Sequence, residues 1–187
     1  VASGNPHVLD AKLGGKQVVS ELELASAFCR AEQIAVTGTN GKTTTTMLID
    51  HILKYAKIPS HAVGNIGAAF SSIADKLDAM EAVVIEASSF QLEGAQFFAP
   101  DIAVMLNITP DHLDRHGNLD RYIGAKANVF LRQSESDLAV FNADDENVRS
   151  LLPVIRARKV PFSLNGPVDG AYLSSGFVCY KGMPVAE

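Results

Sequence analysis

The sequence predicts an α/β fold: a mostly parallel sheet with helices on both faces, followed by a small antiparallel meander at the C-terminal end. Three observations predict it. Short apolar runs recur at Ile34-Ala35-Val36, His61-Ala62-Val63, 82–85, 102–106, 138–141 and 159–162, and segments of helical spacing separate them. Most of these runs end in a polar loop, as expected of a parallel sheet that gathers ligands at its C-terminal strand ends. Past Gly166 the pattern changes to Ala171-Tyr172-Leu173, Phe177-Val178-Cys179-Tyr180 and Met183-Pro184-Val185, with turns at Ser174-Ser175-Gly176 and Lys181-Gly182, and this meander runs on toward Glu187.

Taken in order, residues 1–31 open loop-like, with breakers at Gly4, Pro6, Gly14 and Gly15. Gln17-Val18-Val19 is strand-like, and Ser20 with Glu23 makes a capping-box pattern ahead of Leu24, Ala25 and Phe28. This part reads as a linker and the tail of a preceding domain, and residues 32–187 as a central domain. A helix over 44–56 places Met47, Leu48, Ile52 and Leu53 on one face, and Pro59 closes it. Residues 68–80 read as a second helix, 119–132 as a third, and a short helix precedes the run at 159–162.

Composition narrows the function. With 47% hydrophobic and 20% charged residues the chain is globular, and a net charge of −5 without a basic cluster excludes a general nucleic-acid binder. No run of about 18 apolar residues could span a bilayer, and no secretory pattern opens the chain. Cys29 and Cys179 stand far apart without C-x-x-C spacing, so two free buried thiols in a reducing cytoplasm are expected. The start at Val1, without an initiator Met, suggests a piece of something longer.

The chemistry concentrates in Gly38, Thr39, Asn40, Gly41, Lys42, Thr43 and Thr44, between an apolar run and a helix. Glycines allow a tight turn, consecutive amides can surround phosphate oxygens, and the helix N-terminus adds its positive end. Lys42 would reach the outer phosphates and the Thr43 hydroxyl a Mg²⁺ ion, which makes the sheet P-loop-type. The loop is compressed, because standard spacing would put its first glycine where Val36 stands. Glu86, after Val83-Val84-Ile85, suits a metal facing this loop, and Asp111, His112, Asp114, Arg115 and His116 crowd the stretch 107–116. The blander readings are a turn that happens to contain Gly-Lys-Thr, a Glu86 that caps the next turn, and a solvated helix lysine at Lys126.

These residues resemble the Mur ligases of peptidoglycan synthesis. The matching segments are the loop, Gly64-Asn65-Ile66-Gly67, 86–93, 106–116, Tyr122 to Lys126, and Asn142-Ala143-Asp144-Asp145, in the family's order and over roughly residues 16–185. Glu86-Ala87-Ser88-Ser89-Phe90-Gln91-Leu92-Glu93 resembles the branch that adds D-glutamate to UDP-N-acetylmuramoyl-L-alanine. The resemblance implies an ATP-dependent amide ligase that activates a carboxylate as an acyl phosphate. It implies Lys42, His112 and Lys126 as catalytic, Thr43 and Glu86 on one Mg²⁺, and His112 on a second, supported by a carbamylated Lys126. Asn65 and Ser88 match positions near the muramoyl substrate, whereas His7, His51 and His61 match nothing.

Set against the three domains of the family, the sequence reads as the tail of the first and an incomplete central domain, without the third domain or the late asparagine-bearing helix. The chain is therefore expected to be a monomer in the cytoplasm that binds Mg·ATP weakly and does not ligate alone. Other readings stay open: another member of the family or a folylpolyglutamate synthase relative, a generic P-loop NTPase, or a non-catalytic nucleotide-binding module.

Overall fold

The computed structural model describes residues 5–186, so the breaker at Gly4 and the expected continuation into Glu187 lie outside the described residues. Its helices are α1 (Pro6–Leu13), α2 (Glu21–Phe28), α3 (Lys42–Tyr55), α4 (Ser89–Glu93), α5 (Leu113–His116), α6 (Leu119–Ala127) and α7 (Glu146–Arg149). Its strands are β1 (Glu32–Thr37), β2 (Ser60–Gly64), β3 (Ala82–Glu86), β4 (Ile102–Met105), β5 (Leu138–Asn142), β6 (Arg158–Ser163), β7 (Ala171–Ser174), β8 (Phe177–Tyr180) and β9 (Met183–Ala186). They form one sheet in the order β2-β3-β1-β4-β5-β6-β7-β8-β9. The pairings from β2 through to β7 are parallel, and β7-β8-β9 is the antiparallel meander.

Alternation along the central strands explains why helices cover both faces. Ala35, Val83, Ile85, Ala103 and Met105 point into one core with Leu22 of α2, Leu92 of α4 and Tyr122 of α6. Ile34, Val36, Val84 and Val104 point the other way, against Ile49 and Leu53 of α3. Each large side chain buried this way contributes about 1.5–3 kcal/mol. Because β1 lies between β3 and β4, the ends of all three strands meet in one place.

Several expectations need correction. Residues 17–19 join no strand, and α1 occupies part of the stretch read as loop. Asn5 caps α1 by accepting from the His7 amide, and Pro6 sits at its first position, where the missing N–H costs nothing. Residues 68–80 fold as short 3₁₀ turns at Phe70–Ser72 and Ala74–Lys76 instead of a helix. The Ser71 amide is taken by Glu21 Oε1 at 2.6 Å and Ser72 Oγ bonds Ala69 O, so side chains compete with the helical ladder. The third helix stops at Ala127, and i→i+3 bonds then carry the chain so that Val129 and Phe130 plug the core.

The face of α3 also differs from expectation. Met47, Leu48 and Ile52 are 50–55% exposed, and Thr46, Ile49, Asp50 and Leu53 turn inward. The phosphate loop sets this rotation, because it directs Thr43 at the sheet and Thr46, Asp50 and Leu53 follow on the same side. Buried Asp50 is satisfied by Ser60 Oγ and Lys54 Nζ, each at 2.7 Å.

At the N-terminal side, Ser20 Oγ accepts from the Glu23 amide as predicted, but the Glu23 carboxylate accepts from the Gln96 and Phe97 amides instead of closing the box. Leu24 and Phe28 are exposed, and Leu22 and Ala25 do the packing. Both cysteines are free; Cys179 is buried, whereas Cys29 is only partly so. Among the described residues no helix is long and apolar enough to cross a membrane.

Candidate active site

β1 delivers the chain at Thr37 into the loop Gly38–Gly41, and α3 begins at Lys42. Gly38 fits because a Cβ there would stand 2.9 Å from Leu106 Cβ, and Gly41 turns the chain at φ +83°. Thr45 is the first residue whose amide finds a carbonyl behind it, that of Gly41. The amides of Lys42, Thr43 and Thr44 therefore point out of the helix N-terminus toward the loop. Lys42 folds back so that its Nζ donates to Gly38 O at 3.1 Å and Thr39 O at 2.8 Å.

Glu86 closes β3 beside this loop, with Val36 and Gly64 as its neighbours in register, and is only 2% exposed. Its two oxygens have separate partners: Thr43 Oγ1 donates to Oε2 at 2.7 Å and Asn65 Nδ2 donates to Oε1 at 2.8 Å. Gly64 is required there, since a Cβ would stand 2.5 Å from Glu86 O.

Lys126 enters from α6 and is 1% exposed. Its Nζ donates to Gly38 O at 2.7 Å and lies 3.4 Å from Thr37 Oγ1, and the Tyr122 ring lies 4.8 Å away. Burial, and next the charge of Lys42, lower its pKa to about 7, with Asp111 pulling weakly the other way. A buried lysine whose hydrogen-bond partners are neutral oxygens can hold a neutral amine.

His112 stands where the chain adopts left-handed geometry, φ +51°, ahead of α5. Half-exposed, it places Nε2 3.5 Å from Asp111 Oδ2 and its ring 4.9 Å from that of Phe90. The ring of buried His116 stacks on that of Phe90 at 5.6 Å, and His116 Nε2 bonds Ser89 Oγ at 3.0 Å. Ser88 caps α4 in a reciprocal capping box with Gln91.

A cavity of about 110 Å³ brings Lys42, Asn65, Ser88, His112 and Lys126 together, with Phe90, Asp111 and Tyr122 among its other walls. Thr43 and Glu86 sit at its Asn65 edge. A larger groove of about 270 Å³ beside α2, lined by Val19, Leu24, Ala27 and Phe97, holds none of the loop or strand-end residues. Sequence reasoning did not assign Phe90, Tyr122 or Asn107 to the site. The available signal for Asn107 was its place directly after a strand that neighbours the loop-bearing strand.

The donor set can be tested against Mg²⁺. Thr43 and Glu86 offer hard oxygens 2.7 Å apart at the loop's edge, which fits an ion that keeps several waters and shares phosphate oxygens. Among the described residues no three His, Cys, Asp or Glu side chains cluster into a protein-only metal site. An ion here would be completed by ligand and solvent oxygens.

Known proteins include relatives of this chain in sequence and in fold. Residues 36–178 match the model of the Mur ligase middle domain. The UDP-N-acetylmuramoylalanine--D-glutamate ligase of Geotalea daltonii is 43% identical over 93% of this chain, and the chain spans 39% of that relative's length. The UDP-N-acetylmuramate:L-alanyl-gamma-D-glutamyl-meso-diaminopimelate ligase of Neisseria meningitides shares the fold, with a TM-score of 0.66 at 20% identity over 98% of this chain and 64% of its own. MurF ligase from Thermotoga maritima, solved in complex with ADP, aligns with a TM-score of 0.62 at 23% identity, covering 84% of this chain and 39% of that one. The family model covers most of the chain, and the strand-end loop, Glu86 and Lys126 all fall within it: the chain belongs to the Mur ligase family.

Proposed function

We propose that this chain is the ATP-handling part of a ligase that joins D-glutamate to UDP-N-acetylmuramoyl-L-alanine, working as a monomer in the cytoplasm. The observation that carries the reading is the convergence of the Lys42 loop, the Thr43–Glu86 pair and buried Lys126 on one cavity. Identity of 43% to a D-glutamate ligase supports the branch, and a MurF ligase of the same fold solved in complex with ADP supports an adenine nucleotide as ligand.

In this reading Lys42 and the amides of Lys42, Thr43 and Thr44 hold the β- and γ-phosphates of ATP. Thr43 and Glu86 hold a Mg²⁺ ion, which when bound neutralises phosphate charge. Asn65, hydrogen-bonded to Glu86, fixes that carboxylate and with Ser88 faces the muramoyl substrate. A carboxylate oxygen of the substrate attacks the γ-phosphorus, the bond to the β-bridging oxygen breaks, and ADP leaves. The amine of D-glutamate then attacks the acyl carbon, phosphate departs, and the amine's proton passes to solvent. Catalysis of this kind rests on placement and charge more than on covalent help.

His112 stands ready for a second ion. The neutral amine of Lys126 can add CO₂, forming an N–C bond and releasing a proton, and so present an anion in place of a cation. The 187-residue chain alone is expected to bind nucleotide weakly and not to ligate, because the chain spans 39% of its relative.

Phosphate release by the full-length protein tests the reading. Release should require both UDP-N-acetylmuramoyl-L-alanine and D-glutamate. Turnover with L-lysine or meso-diaminopimelate instead would move the protein to another branch, and nucleotide binding without any release would favour a switch or module.

A further inference from the structure

The Asn142-Ala143-Asp144-Asp145 segment contributes nothing to the walls of the cavity. The Asp144 carboxylate accepts from Ser163 Oγ and the Leu164 amide, whereas Asn142, Asp145 and the following Asn147 turn onto the chain that follows β4. Asn142 Nδ2 donates to Leu106 O at 2.9 Å, Asp145 Oδ2 accepts from the Ile108 amide at 2.8 Å, and Asn147 Nδ2 donates to Ile108 O at 2.8 Å. Asn107, between those two residues, is thereby held on both sides.

The Asn107 side chain reaches the phosphate loop. Its Oδ1 accepts from the amides of Thr39 at 3.0 Å and Asn40 at 2.8 Å, and its Nδ2 donates to Asn40 O at 3.0 Å. Thr39 is tied a second time, its Oγ1 accepting from the Thr109 amide at 3.0 Å and lying 3.2 Å from Tyr122 OH.

The usual phosphate loop has four residues between its glycines, and this one has Thr39 and Asn40 alone. A shorter loop has fewer backbone groups with which to hold its own shape. The carboxamide of Asn107 offers the donor and acceptor of one peptide group, at the place where the loop is short of them. We propose that Asn107 is a positioning residue that presets the compressed phosphate loop before nucleotide arrives, and that the 142–147 segment is the support that fixes Asn107. The amides of Lys42, Thr43 and Thr44 stay free for the ligand, and a loop ordered in advance loses less freedom on binding. The proposal rests on the nucleotide reading above for the identity of the ligand, but not for the brace itself.

Hydrogen exchange in the 187-residue chain reads the brace, and Mg·ATP titration reads its consequence. The Asn40 amide is the sensitive probe, because the Thr39 amide also bonds Asn107 O at 2.9 Å. Asn107→Ala should speed exchange at Asn40 about tenfold and weaken Mg·ATP by a similar factor, the size that one hydrogen bond of ordinary net strength supports. Asn107→Asp keeps the accepting oxygen but turns a second acceptor toward Asn40 O, where Nδ2 donated at 3.0 Å, so exchange at Asn40 should rise by less than in Asn107→Ala. The Ala87 amide, bonded to Val36 O, serves as the control.

Unchanged exchange at Asn40 in Asn107→Ala overturns the proposal, and so does equal acceleration at Ala87, which marks general loosening. Should Asn107→Ala not fold, Asn147→Ala decides: faster exchange at Asn40 supports the brace and unchanged exchange overturns it. A wild-type chain that binds no Mg·ATP would count against the nucleotide reading, and the exchange result would still decide the brace.

Discussion

Lys42 and Lys126 aim their ammonium groups at the same acceptor, the carbonyl oxygen of Gly38, at 3.1 and 2.7 Å. Like charges brought to one oxygen in a buried place oppose each other, and the more buried of the two gives way. Lys126 is that residue, so the phosphate loop and the α6 lysine form one electrostatic unit.

Lys42→Ala should therefore do two things. It removes the charge that meets the outer phosphates, and Mg·ATP affinity should fall about 10- to 100-fold, as expected for a charge-assisted contact of roughly 1.5–3 kcal/mol. It also removes the second cause of the lowered Lys126 pKa, which should move up. Calorimetric titration and NMR titration of the Lys126 side chain check the two parts; equal affinities, or an unmoved lysine, would contradict this account of the pair.

Lys126 also gives the fold a pH dependence. Its folded pKa of about 7 lies below the unfolded value of 10.5, so between those limits the unfolded chain carries a proton that the folded chain has released. Stability must rise with pH across that window, and below about 7 the cost of burying the charge is present in full. Urea melts of wild type and Lys126→Met, without added Mg²⁺ or bicarbonate, should diverge in slope by at most about 1.4 kcal/mol per pH unit. A difference that stays flat from neutral to alkaline pH would show that the amine keeps its proton.

The same neutral amine should react with CO₂. In ¹³C-bicarbonate above neutral pH with Mg²⁺ present, the chain should show a carbamate carbon that Lys126→Arg lacks, because guanidinium stays protonated. A bare amine at high bicarbonate would remove Lys126 from the metal chemistry.

How much of this could be read in advance depended on the distance over which each feature is determined. The strands and their polar ends were legible because a sheet covered on both faces needs unbroken apolar runs, and ligands gather where those runs stop. Lys42, Thr43 and Glu86 are local to such ends. The inward face of α3 was not legible: the bond from Thr43 to Glu86 sets the helix's phase and leaves Met47, Leu48 and Ile52 outside despite their spacing. The 68–80 segment failed as a helix for a similar reason, since the group that takes the Ser71 amide is Glu21, 50 residues earlier. Asn107 meets its loop partner across 67 residues and His116 meets Ser89 across 27, pairings that no local pattern carries. Lys126 looked like any helix lysine until the resemblance gave it a role.

Gly64 offers a test of how the strand ends keep Glu86 in place. At φ +103° a side chain is strained, and its Cβ would stand 2.5 Å from Glu86 O, a backbone atom that cannot turn aside. That same oxygen accepts from the Asn65 amide at 2.9 Å, so relieving the clash must part β2 from β3 where Asn65 holds Glu86. Gly64→Ala should cost about 2–4 kcal/mol and lower Tm by roughly 6–12 °C in a chain of this size. Gly67→Ala is the comparison, because its φ of +61° is also left-handed but the nearest atom, Ala62 O, is 3.7 Å from the new Cβ. Backbone strain alone should then cost about 1–2 kcal/mol. If close approach to Glu86 is what the glycine serves, Gly64→Ala must exceed Gly67→Ala and must also weaken the dependence of nucleotide binding on Mg²⁺. Equal melting shifts in the two variants, with that dependence intact, would mean that the glycine serves the turn alone.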